Sequence, residues 1–448
     1  MSSTTFSPTY TPDAALQDAL AARFLRYSAI SSQSDASASV VPTSEGQREL
    51  ARLLETELRE AGAQEVHLSD TCVLTARIPS SLPAGTEAPA IGFCTHLDTV
   101  DVNLSPDVHA RIIDYSGGDI CLNPELDIWL REAEHPEITR YKGQRVIVTD
   151  GTSVLGADDK AGVASVMEAA VRLLAADADA TGQAGAQGQV SQTGQGAGAG
   201  ASAHPDIYLS FVPDEEIGLL GVRTMDLARF PVDYAYTLDC CELGELVEAT
   251  FNAGHARLHI EGVTAHPMNS KGNLVNPILV AHDFIAQLNR AQTPEHTEGR
   301  EGYLWVNGID GNQATATVDI SIRDHDRAGY DSKKAFLRDL AERTAEANPR
   351  ASLRLDISDI YSNLEDAKTS ANAVASERLR AAFTRLGIEP INLAMRGGTD
   401  GSYLSTRGIY TPNFFTGAHN FHSNCEFLPL PAFEASYRVV RELMAGSF

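Results

Sequence analysis

The sequence predicts an α/β fold, a mostly parallel sheet with helices on both faces, joined by a smaller inserted ferredoxin-like α+β unit. Three observations predict it. Near-continuous apolar runs such as Ala90–Thr95 and Ile207–Val212 have the composition of buried parallel strands. Segments with apolar residues at helical spacing alternate with them, so helices cover the sheet on both sides. Between about Phe251 and Asn363 the order becomes strand, helix, strand, strand, helix, strand, which is the ferredoxin-like pattern.

Taken in order, Thr11-Pro12 is a cap followed by a first-turn proline, and Leu16, Leu20, Phe24 and Tyr27 form one face of the helix it opens. A second helix follows Ser44, with Leu50, Leu53, Leu54 and Leu58 inward and Gly62 as its stop. Short strands are predicted at Val66–Leu68 and Val73–Ile78, and the Ala90–Thr95 strand delivers His96-Leu97-Asp98. The stretch Gly151 to Gly162 places the adjacent carboxylates Asp158 and Asp159 on a glycine-flanked turn. An amphipathic helix follows, with Val163, Val166, Met167, Ala170 and Leu174 at helical spacing. Residues 177–203 are Gly, Ala, Gln, Ser and Thr with hardly any large apolar side chain, which predicts a disordered surface insertion.

Regular structure resumes with Ile207–Val212, ending in Pro213-Asp214-Glu215-Glu216, and with Tyr234–Leu238, ending in Asp239. In the inserted unit, strands are predicted at Ala256–Ile260, Tyr303–Val306, Thr315–Ile322 and Leu353–Ile360. Its helices are predicted at Pro277–Leu288 and Ser332–Ala347. The chain returns with a helix over Ala375–Leu386, a loop from Arg396 to Ser402, a strand near Pro412–Phe415, His419-Asn420-Phe421-His422 and a helix from Pro431.

At 448 residues the chain is too long for one ordinary core, so two domains are expected. Its 35 Lys and Arg against 60 Asp and Glu give a net charge of −25, which argues against nucleic acid and anionic membranes as partners. Six cysteines without a C-x-x-C pair, and no secretory leader, predict reduced thiols in the cytoplasm. No run of about 18 apolar residues offers a membrane span.

His96, Asp158, Glu216, Asp239 and His422 each follow a predicted strand or lie on a glycine turn. In open α/β sheets, ligands collect at the carboxyl ends of strands. Five nitrogen or carboxylate ligands are too many for one tetrahedral zinc and suit two ions sharing a bridging carboxylate. Such a carboxylate-rich set also accepts Mn2+ or Co2+.

The fragments Thr95-His96-Leu97-Asp98-Thr99, Gly156-Ala157-Asp158-Asp159-Lys160-Ala161-Gly162, Pro213-Asp214-Glu215-Glu216-Ile217-Gly218 and Thr237-Leu238-Asp239 resemble the metal-binding motifs of the co-catalytic zinc aminopeptidase, dipeptidase and aminoacylase family. Within it, Asp150-Gly151-Thr152, Ile322 to Arg327, Arg396 to Gly401 and Asn420-Phe421-His422 are similar to the peptidase T branch, tripeptide aminopeptidases. The similarity runs from about Ala21 to the C-terminus, apart from 177–203.

The resemblance implies two zinc ions per subunit. His96, Asp158 and Asp239 would hold one, Asp158, Glu216 and His422 the other, with Asp158 bridging and its peptide bond to Asp159 cis. Asp98 would orient the His96 imidazole. Glu215 would be the general base, and His266 would stabilise the oxyanion, commonly across a dimer interface. Arg396 would bind the peptide's terminal carboxylate, with Arg323 and Asn276 helping to hold the substrate. The domains implied are a discontinuous catalytic one (1–250 and 364–448) and a lid and dimerisation domain (251–363). Two departures stand out: Met268 follows His266-Pro267 where many relatives have glycine, and Cys240-Cys241 replace small residues. The expected activity is removal of the N-terminal residue from short peptides by a homodimer. The alternatives are a related dizinc amidohydrolase (dipeptidase, N-acyl-amino-acid deacylase or deacetylase) and a non-catalytic metal-binding descendant, the last disfavoured by Glu215.

Overall fold

The two most apolar runs, Ile91–His96 and Ile207–Val212, have every residue buried, which requires cover on both faces. They pair in parallel from Ile91 opposite Ile207 to His96 opposite Val212. Around them a computed structural model, which describes residues 8–180, 182 and 203–445, builds an eight-stranded sheet. Its order is Gln64–Leu68, Leu74–Ile78, Ile207–Val212, Ile91–His96, Tyr234–Cys240, Asn413–Phe415, Glu245–Thr250, Ile391–Met395. The central pairings are parallel and the Gln64–Leu68 edge is an antiparallel hairpin. Alternate residues of one strand feed different cores: Phe93 and Leu209 pack on one side, Cys94 and Tyr208 on the other.

The first helix, Ala14–Ser28, is capped by Asp13, whose carboxylate accepts from the N–H groups of Ala15 and Leu16, so it begins after the expected Thr11-Pro12. The second, Glu45–Ala61, stops at Gly62, where φ is 92°. The helical segment Ala157–Ala180 differs from expectation in two ways. It is buried all round from Ala157 to Ala170 rather than along one stripe, because it packs between the first and last helices and the sheet. It also continues to Ala180, so residues 177–180, assigned to the insertion, are helical. The remainder of that insertion lies almost wholly outside the described residues. Beyond it, buried His204 holds Asp177 at 2.9 Å, tying the resumed chain to the helix end.

The second sheet has the order Tyr303–Gly311, Thr315–Asp324, Asn252–Glu261, Ser352–Tyr361, antiparallel throughout, as the ferredoxin-like pattern requires. Helices Pro277–Ile285 and Arg327–Ala347 cover one face and share a separate core that includes Leu258, Phe284, Val318 and Leu337. The two chain crossings are tied together: Asn363 Oδ1 accepts from Thr250 N at 2.9 Å, and Asn252 Oδ1 accepts from Asn363 N at 3.2 Å. Unforeseen elements include a three-stranded sheet of Arg111–Tyr115, Gln144–Val148 and Phe427–Pro429, and a hairpin of Ile120–Asn123 with Ile128–Leu130. The first of these matters for the site, since it pairs the strand that precedes the Asp158 turn with the strand that follows the His422 loop. Among the described residues no helix is long and apolar enough to cross a membrane, and all six cysteines are free.

Candidate metal centre

His96 ends the buried strand Ile91–His96 and is 2% exposed. Its Nδ1 lies 3.0 Å from the Asp98 carbonyl, which leaves Nε2 pointing at Asp158 Oδ1, 2.9 Å away. The other Asp158 oxygen, Oδ2, lies 3.1 Å from His422 Nε2, and that same nitrogen is 3.0 Å from Glu216 Oε1. The two oxygens of Asp158 thus face two histidines that are hundreds of residues apart in sequence, the disposition a bridging carboxylate needs. The backbone at Asp214, Asn420 and His422 is left-handed, with φ of 56°, 59° and 60°. Non-glycine residues are uncommon there, and such conformations gather in ligand-holding loops. The Asp158–Asp159 peptide bond is cis.

Backbone contacts hold the remaining carboxylates. Asp98 is fully buried; its Oδ1 accepts from Glu215 N at 3.0 Å and its Oδ2 from Glu216 N at 3.2 Å. Its Oδ1 is also 3.4 Å from His96 Nδ1, so its carboxylate ties the Glu215-Glu216 turn to the strand end while its carbonyl takes the closer imidazole contact. Asp239 lies near the end of Tyr234–Cys240, where the Asn413 amide accepts from Asp239 N at 2.8 Å and donates to Asp239 O at 3.0 Å. Asp159 Oδ2 accepts from His96 N at 3.2 Å. Gly162 permits that approach, because a Cβ there would lie 2.1 Å from Asp159 Oδ1.

The electrostatics are those of an anion cluster. Burial, reinforced by repulsion from neighbouring carboxylates, pushes Glu215 and Asp239 well above the usual carboxylate range and Glu216 up to about 7. Asp158 is held low although burial opposes its ionisation, because His422 and His96 hydrogen-bond to it. Hydrogen bonds to Asp158 and Glu216 in turn push His422 up to about 11. The His96 and His422 imidazoles are the groups placed to offset this charge. His96, Asp158 and Glu216 bring ligand atoms within 4.8 Å of one another. This inward-facing nitrogen and oxygen set, short of positive charge, fits divalent ions of the zinc type.

The structure brings together His96, Asp98, Asp158, Glu215, Glu216, Asp239 and His422. It places the other expected residues elsewhere. His266 is exposed on a loop of the inserted unit, its Nδ1 accepting from Met268 N at 3.2 Å. Asn276 caps the helix Pro277–Ile285 through Ile278 N. Arg323 donates to the carbonyls of Gly254 and Ile322 and stands 5.9 Å from the Tyr361 ring centroid. Arg396 donates to Gly299 O, Glu301 O and Thr297 Oγ1 and lies against the rings of Phe251 and Tyr303, so atoms of the inserted unit occupy its guanidinium. Glu426, four residues beyond His422, is not among the residues the sequence nominates. Both its oxygens are in fact filled by backbone N–H groups of the Asp158 loop. Nor does the sequence nominate Asn413 or the buried Lys160, whose Nζ donates to Ile30 O at 2.8 Å. The only signal for Glu426 was an acidic residue wedged between Cys425 and Phe427 in an apolar run.

Comparison with known proteins gives a consistent answer. Residues 249–351 match the peptidase dimerisation domain of the M20 peptidases. A peptidase T-like protein of Yersinia pestis is 46% identical over 429 residues, covering 96% of this chain and 98% of its own. The peptidase T of Geobacillus kaustophilus is 36% identical over 432 residues, with 96% and 98% covered. Among solved structures, the aminopeptidase PepT of Bacillus cereus superposes with a TM-score of 0.70 at 20% identity, covering 96% of this chain and 98% of that one. A dinuclear metal-binding M20 peptidase of Bacillus subtilis gives 0.60 at 13% identity, with 97% and 98% covered, which speaks for the fold. The ligand geometry and the full-length relatives converge: the chain belongs to the peptidase T group of the M20 peptidases.

Proposed function

We propose that this chain is a dinuclear zinc aminopeptidase that removes the N-terminal residue from short peptides, tripeptides in preference. The observation that carries the reading is Asp158 with one oxygen toward His96 and the other toward His422. The full-length relatives named peptidase T supply the substrate class. His96, Asp158 and Asp239 would hold one ion, and Asp158, Glu216 and His422 the other. Ions in that position supply Lewis acidity and a water acidic enough to ionise near neutral pH.

This chain's own residues do the rest. Glu215, 9% exposed and fixed through its N–H to Asp98, takes the water's proton on its carboxylate and passes it to the leaving amine. Asp98 keeps that turn in register with His96. Arg396 exchanges its lid acceptors for the substrate's terminal carboxylate, a charge-assisted pair in place of neutral ones. Arg323 and Asn276 line the lid side of the peptide. His266, exposed on its loop, serves the oxyanion from the lid of a second copy, which makes the segment 251–363 both lid and dimer interface. Free cysteines accord with a cytoplasmic protein.

The test compares turnover of a free tripeptide, the matching dipeptide and the N-acetylated tripeptide, before and after chelation and zinc add-back. Cleavage of the free tripeptide alone, restored by zinc, is the expected result. Preference for the acetylated or dipeptide substrate would overturn the substrate class, and no cleavage with zinc bound would overturn catalysis.

A further inference from the structure

Glu426 is a carboxylate 2% exposed, four residues beyond His422. Its Oε2 accepts from Leu155 N at 2.7 Å and Gly156 N at 3.0 Å, and its Oε1 from Ala157 N at 2.8 Å and Asp158 N at 3.3 Å. Four successive N–H groups leading into the central ligand therefore converge on one side chain. Successive N–H groups of this kind form an anion-binding concavity, filled here by the protein's own carboxylate. The loop that carries Glu426 is itself closed: His419 and Phe427 exchange backbone hydrogen bonds at 2.9 and 3.2 Å, with His422 between them. One end of this clasp is the Asp158 turn, and the other is the loop that presents His422.

We infer that Glu426 is a positioning residue for the metal pair, setting the Asp158 turn against the His422 loop through protein contacts alone, so that the site is preformed before any ion binds. The inference rests on Asp158 being the shared ligand. Glutamine is the informative replacement. A carboxamide offers one oxygen, and its NH2 would face two N–H donors, so two of the four backbone groups lose their acceptor. Residues that orient metal ligands characteristically change metal affinity by 10–100-fold when replaced.

The experiment titrates Co2+ into metal-free wild-type protein and into Glu426→Gln, following the visible d–d absorption, with far-UV circular dichroism as the control for folding. We expect Co2+ affinity to fall 10–100-fold and the d–d band to change shape while the fold is kept. A purely structural role would lower the melting temperature and leave band and affinity alone. Affinity within two-fold of wild type overturns the inference but not the metal reading; a wild-type protein that binds no Co2+ overturns both. Should the variant not fold, hydrogen exchange in wild type decides. Amides 155–158 protected to within ten-fold in chelated and zinc-loaded protein support preformation, and a loss of protection beyond that on chelation overturns it.

Discussion

Replacing Glu215 by Gln separates proton transfer from ion binding more cleanly than any other change at this centre. The side chain keeps its shape, the Glu215 N–H keeps its bond to Asp98 Oδ1, and the neighbouring Glu216 keeps its own to Asp98 Oδ2. Only the proton acceptor is lost. A positioned acid or base contributes roughly 10²–10⁴-fold, so kcat should fall by that factor, equivalent to about 3–5 kcal/mol of barrier. The stability change should have the opposite sign in the metal-free protein. Burial, and then repulsion from Asp239, penalise the charge of Glu215, so an amide relieves strain and the chelated variant should melt no lower than wild type. The assay is kcat and KM on a free tripeptide, with metal content by mass spectrometry and melting with and without chelator. A loss of less than ten-fold at full metal content would refute the general-base role, and a large loss accompanied by loss of an ion would make Glu215 a ligand.

Three further outcomes follow from the same contacts. Asp98→Ala frees both the Glu215-Glu216 turn and the His96 ring, so zinc affinity in chelator competition should drop 10–100-fold; unchanged affinity would contradict the role assigned to Asp98. Burial first pushes Glu216 and Asp400 up to about 7. These groups keep protons in the folded metal-free chain that the unfolded chain releases above about pH 4–5, so its stability falls as pH rises toward 8. Zinc held by Glu216 would displace its proton and offset the neighbouring charges. The gain in melting temperature on adding zinc should therefore widen from pH 6 to pH 8, and a constant gain would count against this electrostatic picture. Arg396→Lys loses the planar fork, so KM for a tripeptide with a free C-terminal carboxylate should rise about 10–100-fold while that for its C-terminal amide stays put; equal effects on both would remove Arg396 from carboxylate recognition.

What the sequence made legible was local. Apolar runs ending in His96, Glu216 and Asp239 gave the strands and set these side chains at one end of the sheet, because a strand buried on both faces must end where its polar residues begin. The ferredoxin-like order was equally visible, since each element of the inserted unit keeps its own hydrophobic period. Long-range devices were not visible. Glu426 meets the Asp158 loop across 268 residues, and Asn413 meets Asp239 across 174, with nothing in either local pattern to announce a partner. The strand Ile391–Met395 was missed because it is a sheet edge with three exposed residues in a row, which removes the apolar signature. The helix after Asp158 looked amphipathic because small residues such as Ala161, Ala164 and Ser165 fill its other sides. They are buried, but they are too weakly hydrophobic to show a second face.

The most direct measurement is the anomalous scattering of crystals grown with zinc, collected at the zinc edge. The account predicts two peaks per chain about 3.5–4 Å apart, each within about 2.0–2.2 Å of a different oxygen of Asp158. His96 and Asp239 should complete one site, and Glu216 and His422 the other. A single peak, or two peaks that do not share Asp158, would contradict it.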